Sequence, residues 1–383
     1  MTDIADLLTS RRLVVTAGPG GVGKTTTAAA LGLAAARLGR KTVVMTVDPA
    51  RRLAEALGLD VDAIEVLGAS APDEAAADAN DRPHRVDGAG ADGGELWTLM
   101  LDSSATFDRL ITTQAGSAER AERILNNPVY QAISRSLAGA QEYMAIERLH
   151  ELATSGEWDL VIVDTPPSRH ALDLLEAPDR LTAFLGHPVY RALTVGQRAF
   201  ARVTNAAASA FLWAVKRLAG PQIVEDTLEF FRSITTLEGG LRERAEAVSA
   251  RLREDSTAFV VITSPRAEAI GEARHLLDGL ERGGFPFGAL VANLLHPVPP
   301  ELPDDGTLDP PWSDALRDQV EWHEELTRLA ASEREQLDTL VRSALIDRRG
   351  DAPIVELALR DDDVHDLAGL ADFADDVIEA GSA

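Results

Sequence analysis

Residues 18–25, GPGGVGKT, spell G-x-x-x-x-G-K-[ST] between a short apolar run, Leu13 to Val15, and an alanine-rich stretch reaching about Leu38. A strand, a glycine loop and a helix in that order restrict the fold more than any other feature of this chain. The glycines let backbone N–H groups turn inward around phosphate oxygens. The lysine adds a point charge, and the threonine hydroxyl is a ligand for a divalent cation. Gly20, Gly21, Val22, Gly23, Lys24, Thr25 and Thr26 are therefore candidate nucleotide-binding residues. Gly18, Gly20 and Gly23 also spell G-x-G-x-x-G, the dinucleotide fingerprint, and Asp48 ends the next apolar strand where a ribose-binding acid belongs. Lys24 and Thr25 decide against that reading, because a dinucleotide has no γ-phosphate or metal for them to hold.

Strand and helix patterns alternate along the chain. Strands are expected over 12–17, 41–47, 63–67, 96–101, 160–163, 258–263, 288–294 and 353–357, with helices over 24–38, 50–57, 266–282, 313–346 and 363–379. This alternation predicts an α/β fold, a mostly parallel central sheet flanked by helices. Helical patterns over 105–152 and 178–252 interrupt it on either side of Asp164. They predict a helical subdomain built from two insertions into a single domain spanning 1–383. Residues 69–94 carry Ala, Gly, Pro and acid with almost no large apolar side chain, and are expected to be a disordered, exposed insertion.

The net charge of −25 argues against general nucleic-acid binding. The absence of cysteine excludes disulfides, thiolate-bound zinc, iron–sulfur clusters and redox thiols. No apolar run approaches the roughly 18 residues of a membrane span, and the polar, acidic N-terminus has no leader signature, so a cytoplasmic protein with at most peripheral membrane contact is expected.

Phosphoryl transfer needs charge neutralisation, a metal and a positioned water. Asp164 ends a buried apolar strand and is followed by the turn Thr165, Pro166, Pro167. In an open α/β sheet that is where a carboxylate serving a metal site belongs. Asp48, in TVDPARR, either orients the attacking water or caps a helix beginning at Pro49, and both roles remain open. The candidate catalytic residues are thus Lys24, Asp48 and Asp164, and the candidate metal residues Thr25, Asp48 and Asp164.

The sequences GGVGKTT, VDPA and DTPPSRHALDLLEAP, with AGAQEYMAIERL (138–149), VITSPRAEAIGEARHLLDGL (261–280) and LVANLLHP (290–297), resemble a deviant-loop ATPase family. That family contains the arsenite-pump ATPase and the targeting ATPase for tail-anchored membrane proteins. The resemblance covers most of the chain and implies ATP or ADP and Mg²⁺ as ligands. It makes Asp48 the water-orienting acid of a first switch, residues 164–170 a second switch, and Asn293 the adenine-reading asparagine. It also implies a dimer, with itself or with a paralogous ATPase, and an apolar helix of a membrane-protein client as partner.

The chain departs from that pattern in informative ways. Pro19 stands where the family usually carries a lysine that reaches across the dimer, so Arg51, Arg52 or Arg169 would have to replace it. A non-hydrolysing subunit of a heterodimer is the alternative. The zinc-binding cysteine pair is missing, its approximate place being HPVPPELPDDGTLDPPW, and so are the arsenite-binding cysteines, which excludes metalloid transport. A partitioning ATPase shares the loop but fits poorly with the length, the helical insertions, the acidity and the non-basic C-terminus. Between Asp179 and Glu225 no acid occurs, while Arg180, Arg191, Arg198, Arg202, Lys216 and Arg217 do. With Phe200, Phe211 and Leu218 at helical spacing, this segment reads either as an amphipathic surface for an apolar helix or an anionic membrane, or as a stripe packed on its neighbours.

Overall fold

The computed structural model describes residues 3–47, 53, 56–57, 82–128, 130–131, 140–186, 238–302, 314–345 and 352–381. The expected strand 63–67, most of the expected helix 50–57, and the basic segment from Arg191 to Arg217 lie outside them.

Eight strands form one sheet in the order β3-β4-β2-β5-β1-β6-β7-β8. They are β1 Leu13–Ala17, β2 Lys41–Thr46, β3 His84–Arg85, β4 Glu95–Met100, β5 Leu160–Asp164, β6 Thr257–Thr263, β7 Phe287–Leu295 and β8 Ile354–Ala358. Every pairing is parallel except that of β3 on the β4 edge. β1, β5 and β6 are buried along their whole length, which is why they read as unbroken apolar runs in sequence.

Ten helices are described: α1 Ile4–Ser10, α2 Lys24–Arg37, α3 Ser103–Gln114, α4 Ala118–Leu125, α5 Ala140–Thr154, α6 Ser168–Gly186, α7 Glu238–Arg251, α8 Ala267–Gly283, α9 Asp314–Leu340 and α10 Leu367–Gly381. α9 continues as a π-turn over Val341–Leu345. On one face, α1 and α10 cover α2, whose residues from Thr27 to Ala36 are all buried. An alanine helix buried all round can approach a sheet closely, and it shows little amphipathic signal in sequence for the same reason. α1 was not expected. Its signature is Asp3, whose carboxylate caps the Asp6 N–H at 2.6 Å, followed by buried Ile4, Leu7 and Leu8 on one face.

Residues 82–94, expected to be part of an exposed insertion, are instead integrated into the fold. They carry β3, and Val86 and Ala89 are buried in the core on the α2 side of the sheet. Residues 69–81 lie outside the described residues.

On the opposite face the helical layer is continuous with the sheet core. Leu110, Ile124, Tyr130, Tyr143, Met144, Ala177, Leu241 and Ala245 make a separate apolar cluster. Ile146 and Leu149 of α5, Ala171 and Leu174 of α6, and Val248 of α7 belong instead to the cluster against the sheet. α5, α6 and α7 therefore run from one core into the other. α6 runs through Pro178, where the second helical insertion was expected to begin, and on to Gly186.

A buried ionic knot ties these helices together. The Glu147 side chain is 0% exposed and accepts from Arg244 Nε at 2.5 Å and from an Arg244 terminal nitrogen as well. Burial, and then the Glu147 charge, push the Tyr143 hydroxyl well above its ordinary pKa, so it stays protonated beside the carboxylate at 3.4 Å. Glu151 adds contacts to Arg148 at 2.9 Å and to Arg109 of α3 at 3.4 Å.

Candidate functional site

The glycine loop leaves β1 at the sheet centre and enters α2 through Gly23, which has φ 85°. A side chain there would be strained, and its Cβ would meet Asn293 Nδ2 at 2.5 Å. At Gly18 the constraint is close approach, because a Cβ would run into the backbone carbonyl of Ile262 in β6. Gly23 is the N-cap of α2, and a helix N-terminus of this kind favours an anion. Gly20 faces the turn after β5, a Cβ at Gly20 lying 4.0 Å from Pro167 Cβ.

Lys24 is buried, and its Nζ donates to the Pro19 carbonyl at 2.7 Å. Proline supplies neither a charge nor an N–H here, but its carbonyl holds the ammonium inside the loop. Thr25 Oγ1 donates to Asp164 Oδ2 at 2.7 Å, and Thr46 Oγ1 donates to the same oxygen at 3.1 Å. The parallel register explains this meeting: Thr16, Asp164 and Thr46 lie side by side on adjacent strands, on the face that α2 covers. Thr165 is buried and donates to the Thr16 carbonyl at 2.8 Å, fixing the start of the turn that leads into α6.

The structure thus brings Gly20, Gly21, Val22, Gly23, Lys24, Thr25, Thr26 and Asp164 to one end of the sheet. Asp48, Arg51 and Arg52 lie outside the described residues. Of Arg169 and His170 only the backbone, in α6, is described. Arg180, the first of the basic residues, is neutralised on its own helix by Asp173 at 2.5 Å and Glu176 at 3.0 Å.

Asn293 joins the loop from the far side. It is buried near the end of β7, and its Nδ2 donates to the Val22 carbonyl at 3.0 Å. Leu294 follows with φ 64°, a left-handed conformation costing a non-glycine residue about 1–3 kcal/mol, and its N–H donates to Asn293 Oδ1 at 2.9 Å. The β7–β8 register shifts between Ala292 and Leu295 at the same place. Sequence reasoning did not find the support behind this strand end, Glu333 of α9, which holds His296. Nothing local in the sequence marks that contact.

The donor set at the loop is a hydroxyl and a carboxylate, hard oxygens suited to a small divalent cation. Among the described residues no group of three or more His, Cys, Asp or Glu gathers to hold a metal. A hydroxyl and a carboxylate would suit a small divalent cation that also takes oxygen ligands from phosphates. Among the described residues no helix is long and apolar enough to cross a membrane.

The sequence profile of the anion-transporting ATPase family matches residues 11–305. ATPase GET3B of Arabidopsis thaliana is 29% identical over 346 residues, 87% of this chain and 76% of the relative. ATPase GET3C of the same plant is 28% identical over 75% of this chain and 68% of its own length. ATPase ARSA1 of Chlamydomonas reinhardtii is 27% identical, spanning 74% of this chain and 34% of the relative.

Proposed function

The chain belongs to the anion-transporting ATPase family, and on that premise we propose a cytoplasmic, Mg²⁺-dependent ATPase that uses ATP binding and hydrolysis to switch its helical layer between client- or partner-binding states. ATP hydrolysis is the family's activity. The observation that carries the switching step is the course of α6. It starts at Ser168, directly after the Asp164–Pro167 turn, and brings Ala177 into the apolar cluster of the helical layer, with Leu181 packed against it. A shift of that turn is thereby transmitted along a packed helix.

Residues of this chain take distinct roles in the proposal. The loop N–H groups and Lys24 bind phosphate oxygens, Thr25 and Asp164 hold the metal side, and Asp48 orients water. Asn293 reads the base. Bound Mg²⁺ would neutralise charge on the β- and γ-phosphates. ATP can drive the change only if its affinity differs between the two arrangements of the helices. Hydrogen exchange compared between an ATP-analogue state and an ADP state tests this: amides of α5, α6 and α7 are expected to change protection. Identical rates in the two states would contradict the switch.

We further propose that the chain works as a dimer with itself, with a paralogous ATPase as the other candidate partner. Trp322 is 66% exposed, and Leu326 and Leu329 follow it on one face of α9. Val298 and Leu302, also exposed, precede α9 in the loop where stapled relatives are expected to carry their zinc cysteines. That loop is tied to α9, His323 Nε2 meeting the Pro300 carbonyl at 2.7 Å. Here an apolar contact would take the place of the metal staple. Trp322→Asp is expected to lower the mass seen by light scattering from dimer to monomer, and an unchanged mass would exclude this face. An apolar client helix remains the proposed cargo of the helical layer.

A further inference from the structure

We propose that Glu333 of α9 is a positioning residue for the nucleotide site, holding Asn293 on the phosphate loop by way of His296. The proposal rests on the reading of residues 18–25 as the phosphate site. The contacts form an unbroken series. The Val22 carbonyl accepts from Asn293 Nδ2, and Asn293 Oδ1 accepts from the Leu294 N–H. Leu294 is held at positive φ, where a leucine does not rest unless its neighbours force it. The force comes from the next residues. Leu295 O accepts from the Leu359 N–H at 2.7 Å. The His296 N–H donates to Glu333 Oε2 at 2.8 Å, and His296 Nδ1 meets Glu333 Oε1 at 2.8 Å. The His296 carbonyl accepts from Arg334 Nη1 at 3.1 Å.

Both oxygens of Glu333 are directed at one residue, and its side chain is only 9% exposed. A carboxylate withdrawn from water this far is costly, and here both of its oxygens are used to fix the strand end that carries Asn293. Arg334, the next residue, reaches Glu356 of β8 at 3.6 Å, so α9 is also tied to the neighbouring strand. When Glu333 is removed, Leu294 is free to leave its left-handed conformation. Asn293 then loses its orientation toward Val22. Because α9 also carries the Trp322 face, the series joins that face to the nucleotide site through one helix.

The test is the dissociation constant of ADP, measured calorimetrically on the full chain. Glu333→Ala is expected to weaken ADP about tenfold, the loss of a charge-assisted buried hydrogen-bond pair. Glu333→Gln, which keeps an oxygen for the His296 N–H and is the gentler change for folding, is expected to weaken it about threefold. In an Asn293→Ala background the added effect of Glu333→Ala should fall below about twofold, since both act through one series. The same factor in both backgrounds would assign Glu333 a purely structural role and overturn the proposal. So would unchanged ADP binding in Glu333→Ala when Asn293→Ala weakens it. A Lys24→Ala chain that binds ADP as tightly as the parent would instead overturn the phosphate-site reading itself, and the relay with it.

Discussion

Lys24→Ala is expected to lower kcat/KM for ATP by on the order of 10³-fold or more, with the fold intact. Removing one preorganised donor from a developing negative charge costs roughly 10²–10³ in rate, and a cation aimed at a transferring phosphoryl group is worth up to about 10⁵. Lys24 is buried at the loop and held ready by the Pro19 carbonyl, so little of its charge is screened by water. Pro19 brings no charge of its own, which leaves more of the neutralisation to Lys24. Lys24→Arg should not rescue, because a planar guanidinium does not fit a loop shaped around a compact ammonium. Phosphate release by the variants, beside their unfolding curves, measures this. Activity within tenfold of the parent at unchanged stability would refute it.

Arg244→Ala is expected to cost about 3 kcal/mol of folding stability, near the low end of the roughly 3–5 kcal/mol seen when one partner of a buried ion pair is removed. Glu147 would be left buried with its charge, the Tyr143 hydroxyl beside it at 3.4 Å. The lower end applies because the Arg244 side chain is 26% exposed and Glu151 shares it at 3.8 Å. Replacing both partners, Arg244→Met with Glu147→Leu, should recover most of the loss, since well-packed apolar substitutes avoid the desolvation cost. Chemical denaturation separates these outcomes. A loss below about 1 kcal/mol in Arg244→Ala would mean that water reaches Glu147 when its partner leaves. The knot joins α5 to α7, so the single variant is also expected to loosen the helical layer.

The central sheet was legible because parallel strands buried on both faces leave continuous apolar runs, each here followed by a turn or a glycine loop. The position of the loop and of Asp164 was legible for a related reason: a strand end in such a sheet is a fixed place. Asn293 was different. An asparagine ending an apolar run reads as a turn residue by itself. Its contact with Val22 spans 271 positions and has no local signature. Glu333 and His296, brought together by the packing of α9 beside β7, were invisible for the same reason.

One misreading came from weighing composition over position. Residues 82–94 lack large apolar side chains, yet the small Val86 and Ala89 suffice to bury an edge against a close-packed alanine helix. Proline removes a helical N–H, yet Pro178 lies inside α6. In α6 the helix nevertheless runs on, with the Thr182 hydroxyl donating to the Pro178 carbonyl at 3.0 Å. The short helix α1 carried a readable cap in Asp3 and an apolar face in Ile4, Leu7 and Leu8, but stood where a polar, acidic N-terminus drew attention away.

What this chain does with proline at position 19 is best tested by steady-state phosphate release from ATP and Mg²⁺ by the purified chain alone, over a range of protein concentrations. Turnover per chain is expected to rise as the chain self-associates and to disappear in Lys24→Ala. Absence of turnover at every concentration, with activity restored only by adding a paralogous ATPase, would contradict it and make this chain the nucleotide-holding half of a heterodimer.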